Sequence, residues 1–128
     1  MCLEKKGMIS LRYAWKPKKV YKILEKYRVN DNIKYITPYI AEEVEIGKEM
    51  IPKTSLIKGL CSSYLTNEVI HCYEDWSTAM LHIPWSLYDL SYVIVKCTIP
   101  AGTFYWVGKC GDIGTRKVIL EREHIRIM

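Results

Sequence analysis

The segment Gly108-Lys109-Cys110-Gly111-Asp112-Ile113-Gly114-Thr115-Arg116-Lys117 holds the densest set of groups in this chain that could act on a ligand. Glycine recurs at every third position, Gly108, Gly111 and Gly114, so backbone N–H groups can come close to an anion. Lys109, Arg116 and Lys117 supply positive charge and Thr115 a hydroxyl. That combination suits a phosphate-bearing ligand. No Gly-Lys-Ser/Thr step opens a helix, as a Walker loop needs, and strands flank the segment, which separates it from a dinucleotide fingerprint. The competing structural role is a hairpin loop whose glycines merely permit positive φ.

A second constellation is electrostatic. From Met1 to Arg28 nine Lys or Arg face two Glu, a formal charge of +7, while the whole chain carries +5. The basic stretch, which includes Lys18, Lys19, Lys22 and Lys26, is interleaved with Tyr13, Trp15, Tyr21 and Tyr27 in a pattern that suits nucleic acid, an acidic protein or a phosphorylated ligand; a solvated element face is its structural counterpart. Ten Tyr and four Trp against one Phe point the same way. A buried phenol or indole needs a hydrogen-bond partner, so many of these rings belong at half-exposed positions, at interfaces or stacked on bases.

Other reactive residues lack partners at useful spacing. His71 and Cys72 are adjacent in a strand-like run and point to opposite faces, so they cannot form a nucleophile and its base. Cys2, Cys61, Cys72, Cys97 and Cys110 show no C-x-x-C spacing and no paired histidines, which predicts reduced thiols and no metal site; Cys110, beside Lys109, is the one in a polar context. Glu42, Glu43 and Glu45 read as an acidic strand edge that discourages sheet-to-sheet pairing. His82 and His124 fall at element ends. No catalytic set emerges, and no cofactor is implied.

The elements that must position these groups follow from periodicity. Ile9 to Trp15 predicts an opening strand. After Pro17, the spacing of Val20, Ile23, Leu24 and Tyr27 predicts an amphipathic helix ending near Asn30-Asp31-Asn32. Short strands are expected over Ile33–Ile36 and Ile40–Ile46, a loop over Glu49–Leu65, a strand over Val69–Tyr73, and a helix over Glu74–His82 capped by Asp75 or Ser77. Alternation from Tyr92 to Ile99, a turn at Pro100-Ala101-Gly102 and the run Thr103–Val107 predict a hairpin, followed by apolar runs at Val118–Leu120 and Ile125–Ile127. The expected core is Val93, Val95, Cys97, Phe104, Val118 and Leu120.

The fold expectation is therefore α+β, two short helices packed on a twisted, mainly antiparallel sheet, as a single domain over residues 1–128. With 49% hydrophobic residues the chain has enough apolar material for one core. It shows neither an apolar run long enough to cross a membrane nor the apolar core of a signal peptide, so the expected location is cytoplasmic.

The series Val69-Ile70-His71-Cys72-Tyr73, Ala79, Val93 to Ile99, Pro100-Ala101-Gly102-Thr103, Tyr105, Gly108 and Lys117-Val118-Ile119 resembles small uncharacterised proteins of bacteria and their phages. The I-P-x-G-T hairpin with a last apolar strand is also remotely similar to the C-terminal half of ADP-ribosyltransferase-like domains. That likeness implies nicotinamide dinucleotide binding in a split antiparallel sheet, with Arg12 as the first-strand arginine and Ser77-Thr78 as the serine-threonine step. Arg116-Lys117 stand where those enzymes carry a glutamate before the last catalytic strand. The leading expectation is a non-enzymatic accessory protein that binds a partner, an anionic nucleotide-derived ligand or a protein. The alternatives are an ADP-ribosyltransferase-like enzyme and a nucleic-acid-binding module using the basic segment, with homo-oligomerisation open in each case.

Overall fold

Antiparallel pairing organises nearly everything in the computed structural model, which describes residues 3–4, 10–37, 43–51, 64–65, 69–83, 92–108 and 111–126. The strands are β1 (Leu3–Glu4), β2 (Ser10–Tyr13), β3 (Lys18–Val29), β4 (Asn32–Ile36), β5 (Glu43–Val44), β6 (Glu49–Met50), β7 (Tyr64–Leu65) and β8 (Ile70–Tyr73). A short helix α1 (Trp76–Leu81) precedes β9 (Tyr92–Ile99), β10 (Phe104–Val107), β11 (Asp112–Thr115) and β12 (Val118–Arg126). β1 pairs with β7, and the main sheet runs β2-β10-β11-β8-β3-β9-β12-β6, with β4 and then β5 added along the far half of β3.

This sheet folds over on itself. Only Arg116 and Lys117 separate β11 from β12, a reach of roughly 11 Å at most from Thr115 to Val118. In a flat sheet the two strands would stand four spacings apart, roughly 19 Å. The connection closes if β2-β10-β11-β8 lies over β3-β9-β12-β6, because packed sheets stand ~10 Å apart. The crease falls between β8 and β3, where pairing narrows to the single Tyr21–Tyr73 bridge.

Side-chain parity fills the space between the layers. Ala14, Ile70, Cys72, Tyr105 and Ile113 from the first layer meet Val20, Leu24, Val93, Val95, Cys97, Ile99, Val118 and Leu120 from the second in one buried cluster. The opposite face of the second layer carries Ile23, Tyr92 and Ile94, which pack under Ala79 and Ile83 at α1 together with Tyr73. Helix α1 starts where the Asp75 carboxylate accepts the Thr78 backbone N–H at 2.8 Å, and it ends at His82.

The α+β expectation is overturned. Among the described residues α1 is the one helix, of six residues, and the architecture is a mainly antiparallel β-sheet. The segment expected as a helix after Pro17 is the twelve-residue strand β3. Its apolar residues fall at helical spacing because β3 is buried on both faces, Val20 and Leu24 into one cluster and Ile23 into the other. Such a strand has no apolar–polar alternation to reveal it. Asn30 and Asp31, read as a helix end, have φ of 50° and 68° and turn β3 into β4, the double positive φ of a type I′ hairpin.

Other boundaries shift. β6 and β7 lie inside the expected loop of Glu49–Leu65, whose residues 52–63 are outside the described set, as are 38–42 and 84–91. The two expected C-terminal runs join into β12, which stays paired with β9 through irregularities between Leu120 and Arg122 and between Glu123 and Ile125. Phe104 is not in the core: it is 51% exposed, and its neighbour Tyr105 takes the inward position. No helix among the described residues is long and apolar enough to cross a membrane.

Candidate functional site

The outward face of the first layer is built from residues whose parity turns them away from the core. Leu11, Trp106, Gly114 and His71 lie side by side across β2, β10, β11 and β8. Phe104 and Tyr13 are partners one step along the same face. Gly114, itself buried, places no side chain between Trp106 and His71 on this face. Where β11 ends, Arg116 and Lys117 turn the chain toward the second layer. Leu11, Gly102, Thr103, Phe104, Trp106, Arg116 and Lys117 enclose a groove of about 400 Å³.

The groove joins apolar and aromatic surface to two cations, and none of its described lining residues is a carboxylate. Leu11 is 57% exposed, whereas Trp106 is buried. At its upper end Tyr13 meets Phe104 edge-to-face at 4.9 Å and Trp15 edge-to-face at 4.6 Å. Backbone bonds hold this end firmly, since the Ala14 N–H donates to Thr103 O at 2.9 Å and the Gly102 N–H to Ala14 O at 2.7 Å. Gly102, with φ of +90°, turns the β9–β10 hairpin, and a side chain there would approach the Tyr13 hydroxyl. This arrangement can stack a planar group and neutralise an anion beside it.

The expected glycine segment is divided between two places. Gly108 and Gly111 lie at the β10–β11 hairpin, with Gly111 at φ +81°, and Lys109 falls outside the described residues. Arg116 and Lys117 lie beyond the other end of β11, roughly 16 Å along an extended chain from Gly111. Gly114 and Thr115 belong to the strand itself. Thr115 is fully buried, and its hydroxyl donates to Lys117 O at 2.9 Å and accepts the Lys117 N–H at 3.3 Å, which shapes the turn. At the hairpin end the Asp112 carboxylate covers Gly108, with an oxygen 2.6 Å from where a Cβ would stand. An anion there would meet negative charge, so the groove beside Arg116 and Lys117 is the better-formed anion position.

The four lysines expected as a basic surface all lie on β3, where alternation separates them. Lys19 is exposed. Lys18, Lys22 and Lys26 share the core-side parity of Val20 and Leu24 and are drawn into contacts. Lys18 stands 3.9 Å from the Glu74 carboxylate and 5.9 Å from the Tyr105 ring centre. Lys22, 6% exposed, donates to His71 O at 2.9 Å. Lys26 donates to the Glu123 carboxylate at 2.6 Å. The Tyr35 hydroxyl donates to the same oxygen at 2.6 Å, a half-buried cluster with no counterpart in the sequence reading because 97 residues separate Lys26 from Glu123.

Remaining titratable groups are held in structural roles. Burial pushes the Cys72 thiol up to about 11, with Lys22 opposing, and burial likewise raises Cys97 well above its ordinary value. Both are free thiols, while Cys2, Cys61 and Cys110 lie outside the described residues. The Thr78 backbone N–H, then the Thr78 and Ser77 hydroxyls, hold the Asp75 carboxyl below its usual range. His82 stacks on Tyr73 at 4.9 Å, and its Nδ1 lies 2.9 Å from Thr78 O; His124 packs edge-on against Tyr21. Among the described residues no group of three His, Cys, Asp or Glu could hold a metal ion. Arg12 is exposed on β2, and Ser77 and Thr78 lie on α1.

A scan against protein-family models and searches of curated proteins and of solved structures find no match to this chain.

Proposed function

We propose that this chain is a small binding protein that holds an anionic, nucleotide-derived ligand in the groove between β2, β10 and the β11–β12 turn. The observation that carries this reading is the lining itself: the exposed Phe104 and the buried Trp106 share one groove with Arg116 and Lys117, and none of its described lining residues is a carboxylate. A planar base has rings to stack on, and its phosphate has two cations within the same 400 Å³. The buried, unpaired thiols of Cys72 and Cys97 support a reducing, cytoplasmic setting. An ADP-ribosyltransferase-like activity draws on the creased sheet, but it needs a carboxylate at the reacting centre, and the described residues of the groove lining include none.

Calorimetric titration tests the reading with AMP, ADP and inorganic phosphate as probes. The parent is expected to take up AMP or ADP more tightly than phosphate, and Arg116→Ala or Lys117→Ala to weaken that binding about 10- to 100-fold through lost charge-assisted hydrogen bonds. Lys34→Ala, on the remote and exposed β4, serves as the control. No heat from any nucleotide with the parent protein would remove the groove from consideration.

A further inference from the structure

We propose that the groove is one end of a longer track that takes single-stranded nucleic acid, with successive bases stacking on Phe104 and Trp15. This rests on the anionic-ligand reading of the groove and names the ligand class. Trp15 lies in the bend after β2 and is 83% exposed, the most open large apolar side chain among the described residues. It is nevertheless ordered by its neighbours. Tyr13 meets Trp15 at 71° and Phe104 at 61°, so one ring, wedged beside the Gly102 turn, props the other two upright. Edge-to-face contact uses the rim of one ring in each pair and leaves ring faces open to a flat partner.

The three rings and Leu11 form a continuous strip leading into the groove, and cations flank it. Lys16 follows Trp15 directly, and Arg116 and Lys117 border the groove; among the described residues neither Lys16 nor Lys117 makes an ion pair. Interleaved rings and unpaired positive charge are what an unpaired strand recognises, since every base has a face to stack and every link a phosphate. A duplex keeps its bases stacked on each other and offers nothing to an upright Trp15. A single nucleotide reaches the groove but leaves Trp15 uncovered. Arg12 and Lys16, exposed cations next to Tyr13 and Trp15, favour the polyanion over an apolar peptide or a second copy of the chain.

The test is a fluorescence titration with thymidine monophosphate, with oligothymidylates of three and eight nucleotides, with octauridylate, and with a duplex of the same length. Trp15→Ala, Phe104→Ala and Lys117→Ala are compared with the parent, and all are checked for mass in solution. The expected result is that the eight-nucleotide strand binds at least about 10-fold tighter than the monophosphate and the duplex. Trp15→Ala should weaken the octamer about 5- to 100-fold and leave the monophosphate unchanged. Lys117→Ala should lower the slope of log affinity against log salt by about 0.7. Octathymidylate against octauridylate shows whether DNA or RNA is preferred. The proposal is overturned if length brings no gain, if the duplex binds as well, or if Trp15→Ala leaves the octamer unaffected. Monophosphate binding that persists in those cases keeps the groove reading alone. A dimeric parent made monomeric by Trp15→Ala would also overturn the proposal, assigning the strip to a second copy.

Discussion

The Lys22 ammonium donates a 2.9 Å hydrogen bond to the carbonyl oxygen of His71, and it does so where β3 and β8 are joined by the single Tyr21–Tyr73 bridge. A lysine side chain thus continues across the crease a connection that strand pairing has abandoned. Replacing it by methionine keeps most of the stem's packing and removes the charge-assisted bond. Lys22→Met is expected to cost about 1.5–3 kcal/mol in urea unfolding. Lys19→Met, exposed on the same strand, should change stability by less than about 0.5 kcal/mol. Equal effects at the two positions would mean that the bond across the crease contributes nothing.

Phe104 and Val95 separate the ligand face from the core. Val95→Ala deletes a fully buried side chain between the layers and should cost about 1.5–3 kcal/mol. Phe104→Ala removes a half-exposed ring and should cost under about 1 kcal/mol while weakening ligand uptake. Thermal melts of the two variants beside the titrations already described give both readouts. A Phe104→Ala protein that melts as early as Val95→Ala would return that ring to the core.

Gly111 tests the hairpin without touching the groove. At φ +81° any residue with a Cβ is strained, so Gly111→Ala should destabilise by about 1–2 kcal/mol. Asn is the least costly replacement, because its side chain tolerates this region. Nucleotide affinity at the groove should stay unchanged in both variants. Lost binding in a folded Gly111→Ala protein would place the ligand at the hairpin instead.

Alkaline pH gives a readout of the core thiols. An unfolded chain loses a thiol proton at about pH 8.5, while burial holds the Cys72 proton up to about 11. Between those values the unfolded state binds fewer protons, so stability falls as pH rises, by on the order of 3 kcal/mol for this group across the whole interval. Chemical denaturation from pH 7 to pH 11 should show the loss, and Cys72→Ala should flatten part of it, with Cys97 contributing to the rest. A parallel decline in the two proteins would assign the alkaline loss to other groups.

How much of this was legible depends on whether a residue's surroundings are local. Val93 to Ile99 and the turn at Pro100-Ala101-Gly102 declare a hairpin because strand, turn and strand are consecutive, and the structure places them in β9 and β10. Asp75 likewise announces α1 from three residues away. Lys22 misleads because it interrupts an apolar face for a partner 49 residues distant, and β3 loses its alternation to burial on both sides. The groove is unreadable for the same reason. Leu11 meets Trp106, and Tyr13 meets Phe104, only once β2 has paired with a strand more than ninety residues further on. Gly114 and Thr115 look like loop residues, since composition cannot tell a flexible glycine from one placed in a strand opposite a tryptophan.

The two-residue step from Thr115 to Val118 also governs how the molecule can assemble in time. Followed along the chain, β2 belongs to the first layer, β3 to the second, β8 to the first, β9 to the second, β10 and β11 to the first and β12 to the second. Neither layer is a contiguous piece of sequence, so neither can form early and wait for the other. Among the described residues β2 has no sheet neighbour until β10 exists. Folding has to condense around distant contacts in one concerted step, which puts its timescale at milliseconds to seconds rather than microseconds. During that interval β2 carries Leu11, Tyr13 and a free strand edge into solvent, so the surface that serves recognition in the finished molecule is also the one a folding chain must keep from sticking to its neighbours.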